Sequence, residues 1–480
     1  MEDAPRADLP AARAAQAGCP NCRRLAAEVE RLTAEGKRLK ARVEQLSAQV
    51  AALEEELRRA RRQAAPFSKD RPKKDPKPPG RGPGHPPAFR PAPPPGAVSE
   101  IIRVPLRRCP RCGGVVKKVL DNAPIYQSEL PASRPVIRRF DTQRGWCPRC
   151  RKMVRSRHPE QTSTATGAAG SQLGPNALAL AADLKHRLGL SLRKIVDLFQ
   201  THFGLQVTPG ALAQAGHRLA ARGEPIYRKL RHEARDSPAV HADETGWRIA
   251  ARGAWLWVFA TPTLTLYRIE QSRGHEVVQD VLGTRFGGTL VSDGLPTYDA
   301  IHAEGRQLCI AHLLKRCARL EEEGTRGAVR FPRQVARLLR RALALRARRG
   351  ELSPRGFATS RGRLEASLDR MLRYHRTCAD NERLAAHLFQ HRPHLFTFLY
   401  QQTVEPTNNL AERQLRPAVI ARKLSAGNRS QRGAQTHAVV ASLAATCRQR
   451  GERFSALAAT LLRQADHVYP RHALSPPLCA

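Results

Sequence analysis

Long apolar runs are missing from this 480-residue sequence. No stretch approaches the ~18–20 consecutive apolar residues that a membrane-spanning helix requires, so we expect no membrane partner. An apolar core is also missing from the first ten residues, MEDAPRADLP, which carry acids where a secretory signal peptide would be apolar. These absences favour a protein that stays in the cytoplasm.

Acidic residues are scarce relative to basic ones. The sequence has 42 Asp and Glu against 82 Lys and Arg, a formal net charge of +40. Such an excess indicates a polyanionic partner, of which DNA is the obvious one, although it says nothing about the fold. We therefore expect a nucleoid-associated protein of a bacterial cell. The length predicts about three folding units, some of them small.

Disulfides are not expected, although the sequence has 11 cysteines. Six of them stand in three C-x-x-C pairs, which in a reducing compartment indicate metal binding. Two pairs, in CPRCGG and CPRC, are separated by 34 residues, enough for two short strands, and predict a zinc ribbon over residues 100–158. The alternative is two redox or incidental pairs. Four thiolates leave no open coordination position, so the Zn²⁺ would be structural and held by Cys109, Cys112, Cys147 and Cys150.

A seven-residue repeat runs through residues 23–62. Its members are Leu25, Leu32, Leu39, Leu46 and Leu53, with Val29, Val43, Val50 and Leu57 at the matching offset. The repeat predicts a parallel coiled coil, and hence a homodimer or higher oligomer, weakened in the middle by Gly36. A lone surface helix is the alternative, but it has no use for a strict heptad period. In a parallel dimer the third pair, Cys19 and Cys22, would meet its copy and offer a shared zinc site.

A basic, proline-rich segment follows the repeat at residues 66–97. It has too few apolar residues to fold, and its prolines keep it extended. We therefore interpret it as a linker.

Helices are predicted for residues 171–235. Ser191 is placed as an N-cap, Gly204 as a turn, and Thr208 with Pro209 as the cap and first-turn proline of a second helix. The pair is typical of a helix-turn-helix, but ordinary helical domains contain such pairs as well. A DNA-reading role for this region is therefore left open.

From residue 239 the pattern changes to strands, in the order β-β-β-α-β. That order is typical of a ribonuclease H-like α/β core, which we place at residues 238–465. An all-helical insertion is predicted at about residues 313–402, where 15 arginines fall between Arg326 and Arg376 among periodic leucines. The predicted fold class is thus a multidomain α+β protein: coiled coil, zinc ribbon, helical DNA-binding-like region and catalytic core.

Two aspartates follow apolar strands of this core. Asp243 in VHADETGWRI and Asp293 in LVSDGLPTY each stand where a strand ends and turn residues begin, so their side chains could meet at one sheet edge. A single aspartate in such a place is more often a turn residue or a helix cap. Carboxylates that meet there suit a pair of Mg²⁺ ions ~3.5–4 Å apart, which promote phosphodiester displacement.

A third acid is available in VEPTNNLAERQLRP. Glu405 precedes Pro406, which disfavours helix at the residue before it. Glu412 falls inside a helix that Thr407, Asn408 or Asn409 could cap and that Pro417 would kink. Glu412 is therefore the better candidate for a helix packed against the strands, and Glu405 is the runner-up.

The motifs HADETGWRI, SRGHEVVQDVL, VSDGLPTYDAI, CIAHLLKR and TNNLAERQLRPAVIARK resemble those of the IS sixty-six insertion-sequence family of Asp-Asp-Glu transposases. The resemblance covers nearly the whole chain. It implies that Asp243, Asp293 and Glu412 are catalytic and hold Mg²⁺ or Mn²⁺. Two departures are Gly246, where the family commonly has proline, and LSAGNRSQRG, where the family has an aromatic-rich segment. Recognition of the element's ends is the property that these departures affect.

Two further sets of residues belong to the candidate site. Cys309 and His312 form the C-x-x-H element that the resemblance places after the second aspartate. The pair could be half of a zinc site. Core packing with a buried hydrogen bond is favoured, so both residues are taken as structural. Basic residues of the last motif are assigned to DNA binding, although a solvated surface role is the alternative. They are Arg413, Arg416, Arg422 and Lys423.

Two functions fit these observations. The first is a DNA transposase that nicks at transposon ends and transfers the strands to target DNA, with small accessory transposition proteins as additional partners. The second is an inactive transposase-derived DNA-binding protein. The presence of all three acids favours the first.

Overall fold

A computed structural model describes residues 20–63, 92–128, 130, 135–158, 160–161, 172–324 and 326–463. The chain divides into two compact units, residues 1–126 and residues 127–480. Within the described part, no helix is long and apolar enough to cross a membrane. Cys19 and most of the predicted linker lie outside the described residues.

The first unit contains one long helix, α1, at Pro20–Gln63. The heptad side chains of α1 are exposed, with Leu25 and Leu53 each 63% exposed. Further along, a single 3₁₀ turn at Pro95–Ala97 forms the described end of the predicted linker. The first cysteine pair forms a tight turn, in which the Cys109 N–H donates to Gly114 O (2.8 Å) and the Gly113 N–H donates to Cys109 O (2.8 Å). The pairing of two α1 helices stays a prediction.

The second unit begins with a two-stranded antiparallel hairpin. Its strands are β1 at Arg144–Cys147 and β2 at Lys152–Arg155, and the second cysteine pair lies at its turn. The two short strands were expected between the cysteine pairs. They instead surround the second pair, and the described residues from 113 to 143 contain only one isolated bridge, from Val115 to Arg108. The turn itself fixes the cysteines, so the intervening chain need not be a strand.

Three helices follow the hairpin. They are α2 at Pro175–His186, α3 at Leu192–Phe203 and α4 at Pro209–Arg235. The predicted punctuation is confirmed: Ser191 accepts from the Lys194 N–H, Thr208 accepts from the Ala211 N–H, and Gly204 ends α3 at a φ of 62°. Short polar side chains at these positions satisfy amide groups that the first helical turn leaves without partners.

A five-stranded sheet forms the centre of the second unit, with strand order β5-β4-β3-β6-β7. The strands are β3 at Ala239–Ile249, β4 at Arg252–Ala260, β5 at Thr265–Glu270, β6 at Arg285–Ser292 and β7 at His302–Leu308, and α5 at His275–Leu282 connects β5 to β6. The first three strands are antiparallel, whereas β3, β6 and β7 are mutually parallel. The predicted β-β-β-α-β order is confirmed.

Helices from β7 to residue 400 form a core of their own. They are α6 at Ile310–Glu323, α7 at Arg330–Ala347, α8 at Pro354–Leu372, α9 at Ala379–Gln390 and α10 at Thr397–Tyr400. Leu339, Leu384 and Phe398 are completely buried in this core. Val291 and Leu308 belong to the same cluster, so the helices are packed on the β6–β7 side of the sheet.

The chain returns to the sheet through α11 at Asn409–Ser425, α12 at Gln431–Arg450 and α13 at Phe454–Arg463. Helix α12 covers the free edge of β5. The Tyr267 N–H donates to Ser442 Oγ (2.8 Å), and the Thr265 N–H donates to Thr446 Oγ1 (3.1 Å). Hydroxyl groups on a helix thus satisfy an edge that would otherwise offer unpaired backbone groups to another chain.

Candidate active site

Asp243 and Asp293 lie at the same edge of the sheet. In the parallel β3–β6 pair, His241 is the partner of Val291. Each aspartate stands two residues further along the chain, and Asp293 is among the charges that act on Asp243. Asp293 follows the end of β6, as predicted, but Asp243 lies inside β3, which continues to Ile249 because it stays paired with β4. The turn after β6 depends on Gly294, whose φ is 89° and where an added Cβ would lie 2.5 Å from a Leu308 methyl group.

The environment of Asp243 disfavours its negative charge. Burial raises the pKa of this carboxyl to about 7, and the neighbouring Asp293, Glu244 and, more weakly, Glu412 add to the effect. The Glu244 N–H, which donates to Asp243 Oδ1 at 2.9 Å, opposes the shift only in part. Asp293 Oδ1 accepts from the Leu295 N–H at 3.1 Å. Burial and the neighbouring acids therefore outweigh the one hydrogen bond that stabilises the charged form of Asp243.

Glu244, the next residue on β3, has the opposite arrangement. Its side chain is only 3% exposed and accepts from the Arg273 guanidinium (2.7 Å) and from the Tyr298 hydroxyl (2.9 Å). Arg273 also lies over the Trp255 ring, 4.3 Å from its centroid. Glu244 is thus neutralised within the fold, and Asp243 beside it is not.

Helix α11 brings the third predicted acid to this edge. Glu412 lies in its first turn, as predicted, and Asn408 occupies the N-cap position. The Asn408 side chain does not cap the helix; its amide nitrogen donates to Ala242 O at 2.8 Å and so joins the start of α11 to β3. The Ile310 N–H donates to Pro406 O (2.9 Å), which holds the same segment against α6. Pro417 lies inside α11, and the helix continues past it to Ser425.

Cys309 and His312 meet Glu412. The ligand atoms of these three side chains lie within 4.8 Å of one another, and among the described residues no other set of three or more His, Cys, Asp and Glu does so. His312 Nδ1 is 3.8 Å from Glu412 Oε1. A hydrogen bond with Cys309 raises the pKa of His312 to about 9 against the opposing effect of burial, and Glu412 and Asp293 contribute further.

This cluster was not predicted from the sequence. The sequence indicates the C-x-x-H element but no third residue for it, because Glu412 lies 100 positions after His312. The residue types were the signal that could have predicted the cluster, because a cysteine and a histidine start one helix and an acid lies in the first turn of another.

Glu405, the runner-up, is occupied elsewhere. Its carboxylate accepts from the Arg346 guanidinium at 3.0 Å, and its side chain is 58% exposed. Arg346 belongs to α7, which is part of the separate helical core. Glu405 is therefore an ordinary ion-paired surface acid.

The basic residues assigned to DNA binding fall into two groups. Arg413, Arg416 and Lys423 are exposed on α11. The Arg422 guanidinium instead donates to Gly246 O and to Thr245 Oγ1 (3.3 Å), so it ties α11 to β3. Arg422 therefore has a role within the fold, and its assignment to DNA binding stays a prediction. A further basic surface, not predicted residue by residue, lines an open groove on α7 with Arg333, Arg337, Arg340 and Arg341.

The fold thus brings a group of carboxylates to one edge of the sheet. Residues 170–436, more than half of the chain, match the family described as Transposase IS66 family, and the matched segment contains Asp243, Asp293, Cys309, His312 and Glu412. The chain belongs to this family, which confirms the resemblance drawn from its motifs.

The chain is also similar to the uncharacterized protein y4qI of Sinorhizobium fredii (strain NBRC 101917 / NGR234). The two are 27% identical over 305 residues, which cover 57% of this chain and 56% of that protein. The chain thus spans little more than half the length of this relative.

Proposed function

We propose that the protein is a DNA transposase of the Asp-Asp-Glu type, built on a ribonuclease H-like core. The observation that carries the proposal is the position of Asp243 and Asp293 just past the last pair of the parallel β3–β6 register, with Glu412 on α11, which is bonded to β3. Family membership supports the same conclusion.

These acids fit divalent cations. Hard oxygen ligands suit Mg²⁺ or Mn²⁺, and burial together with the neighbouring acids raises the pKa of Asp243 to about 7, which a bound cation would offset. Asp243, Asp293 and Glu412 would hold the ions. When bound, such ions activate the attacking oxygen and stabilise the leaving one.

The chemistry follows from phosphodiester displacement. In nicking, a water oxygen attacks phosphorus and gives up a proton while the P–O3′ bond breaks, leaving a 5′-phosphate and a 3′ oxygen that takes up a proton to become the 3′-hydroxyl. In strand transfer, that 3′-hydroxyl oxygen attacks a phosphorus of target DNA and displaces the target's own 3′ oxygen. The protein's carboxylates position these groups, and no bond to the protein forms.

Other parts of the chain would serve this reaction. The exposed heptad face of α1 supports a homodimer or higher oligomer, and deletion of residues 25–57 should lower the mass measured by light scattering. Each cysteine pair forms a turn suited to two zinc ligands; backbone N–H groups of the pair lower the pKa of Cys109 and of Cys147. Replacing Cys112 or Cys147 by Ser should release about one zinc per chain.

DNA is the proposed partner, both as transposon ends and as target. The arginines of α7 and the exposed basic residues of α11 supply positive charge on the catalytic unit. Small accessory transposition proteins and an association with the bacterial nucleoid in the cytoplasm are part of the same proposal.

The test is incubation of the full chain with candidate end DNA and Mg²⁺ or Mn²⁺. We expect metal-dependent nicks that leave 3′-hydroxyls, followed by joining to a second duplex. DNA binding without nicks under either metal would instead identify an inactive transposase-derived DNA-binding protein.

A further inference from the structure

The cluster of Cys309, His312 and Glu412 offers three different donor atoms at one point. The sulphur, an imidazole nitrogen and a carboxylate oxygen all lie within 4.8 Å of one another. Ligand atoms around a tetrahedral zinc, at bond lengths of about 2.0–2.3 Å, are separated by roughly 3.3–3.8 Å. The observed spacing, with His312 Nδ1 3.8 Å from Glu412 Oε1, therefore needs only a small adjustment.

The donor set selects against Mg²⁺. Thiolate and imidazole are ligands for zinc and similar transition metals, whereas Mg²⁺ prefers oxygen. One sulphur, one nitrogen and one oxygen from the protein would leave a fourth position for water, as in three-ligand zinc sites. The cluster thus differs in chemistry from the all-carboxylate edge formed by Asp243 and Asp293.

The sulphur of Cys309 lies where two helices begin. Cys309 is completely buried and stands at the N-cap of α6, with no side-chain cap bond of its own. The Asn408 N–H, at the start of α11, donates to the sulphur at 3.1 Å. Two helix N-termini therefore direct partial positive charge at the same atom.

Access to the cluster is open on one side. The side chains of His312 and Glu412 are 43% and 36% exposed, while Cys309 forms the buried base. An ion can therefore enter from solvent and reach the sulphur last. Since a carboxylate has two oxygens, Glu412 can direct one to this ion and keep the other toward the acidic edge.

We propose that Cys309, His312 and Glu412 bind one Zn²⁺ ion, at a site distinct from the four-cysteine ribbon and adjacent to the acidic edge. The bound ion joins the first turns of α6 and α11, whose contacting residues Cys309 and Asn408 are 99 positions apart in sequence. It thereby fixes the helix that carries Glu412. The site rests on the geometry of these two helices and does not depend on the proposed catalytic activity.

The test is the zinc content of the full chain, measured by mass spectrometry after loading with Zn²⁺ and dialysis. His312→Asn, Glu412→Gln and Cys309→Ser should each lose about one zinc per chain relative to the unaltered protein. Zinc held elsewhere in the chain cancels in this difference. Loading with Co²⁺ adds a second readout, because a sulphur–cobalt absorption band should fall in Cys309→Ser.

Cys317→Ser and Glu405→Gln are the matched controls. Cys317 is buried on the same helix, and Glu405 lies just before the same α11 segment, but neither belongs to the cluster. Both should keep the full zinc content, and circular dichroism should show that all five variants are folded. Unchanged zinc in the three cluster variants would overturn the proposal. A loss confined to Cys309→Ser would overturn it as well, since His312 and Glu412 would then not be ligands. No DNA is used, so failure here is distinct from failure of the nicking assay.

Discussion

Carboxylates at the sheet edge that holds Asp243 and Asp293 have different partners from carboxylates elsewhere in the second unit. Away from the edge, acids are matched with arginine: Asp280 with Arg231 and Arg268, Asp369 with Arg392, and Glu405 with Arg346. Glu244 is matched with Arg273 although it is adjacent to the edge. Asp243 has other acids as its neighbours instead, and its pKa is raised to about 7.

The difference matters in a chain with 82 basic residues. Arginines are abundant enough to pair with every acid, and a buried carboxylate without such a partner is costly. An edge that keeps its acids together therefore loses stability, and the proposed cations would offset that loss. Functional sites are where such perturbed groups concentrate.

The largest expected effect is on nicking. Asp243→Asn, Asp293→Asn and Glu412→Gln should each reduce the nicking rate on the order of 10³-fold or more, because each removes a carboxylate from the proposed metal-binding set. DNA affinity should remain, as the basic surfaces are unchanged. Glu405→Gln, which removes an arginine-paired acid, should keep measurable activity. A dead Glu405 variant together with an active Glu412 variant would show that the third acid is misassigned.

Asp243→Asn should also change how stability depends on pH in buffer without Mg²⁺. Because the folded state raises the pKa of Asp243 from 3.8 to about 7, the stability associated with this group is complete below its ordinary pKa and is lost as the pH rises to about 7. The amide cannot ionise. The variant should therefore be more stable above pH 7, by an amount on the order of a few kcal/mol, and the gain should vanish near pH 4.

Thermal unfolding of both proteins across this pH range measures the effect. Asp280→Asn is the control, because Asp280 has two arginine partners and should show no gain at high pH. Parallel pH profiles for Asp243→Asn and the unaltered protein would contradict the raised pKa.

A smaller effect is expected on the free energy of unfolding, where losing a buried ion pair should cost more than losing an exposed one. Arg273→Gln leaves the Glu244 carboxylate, whose side chain is 3% exposed, with only Tyr298 as a partner, and should lower the free energy of unfolding by about 3 kcal/mol. Arg392→Gln removes a pair whose side chains are 44% and 37% exposed, and should cost about 1 kcal/mol or less. Urea unfolding midpoints provide the comparison, and equal losses would mean that burial does not distinguish these acids.

The smallest expected effect concerns the basic surface. Arg337→Gln should lower the slope of log affinity against log salt concentration by about 1, uniformly across DNA sequences. Arg187, whose guanidinium is bound by Asp183, offers a control whose replacement by Gln should leave the slope unchanged. Titrations by fluorescence anisotropy at several salt concentrations measure both. An unchanged slope in Arg337→Gln would remove the α7 groove from the DNA-binding surface.

Much of the local structure was predictable from the sequence. The caps of α3 and α4 were correct because Ser191 and Thr208 satisfy amide groups within three residues of themselves. The β-β-β-α-β order along the chain was correct because hydrophobic periodicity and turn residues also act over a few residues. The position of Glu412 in a first helical turn followed from the neighbouring proline and asparagines in the same way.

The sequence was least informative where a side chain has two possible partners. Asn408 stands at the N-cap position, yet its amide bonds Ala242 on β3, 166 positions away. Arg422 was assigned to DNA, and its guanidinium bonds Gly246 and Thr245 on the same strand. A local rule cannot choose between a nearby amide or solvent and a distant carbonyl, because the distant group is brought close only by packing.

The sequence by itself determined the family, the heptad period of α1, the cysteine pairs and the identity of the candidate acids, since these depend on residue type and short spacing. Only the tertiary structure decided which acids are matched with arginine and which are not. It also brought Cys309 and His312 to Glu412, because α6 and α11 begin at the same sheet edge and are joined there by bonds from Ile310 to Pro406 and from Asn408 to Cys309. Contacts between such distant segments depend on how strands and helices pack, and this packing is a property of the second unit as a whole.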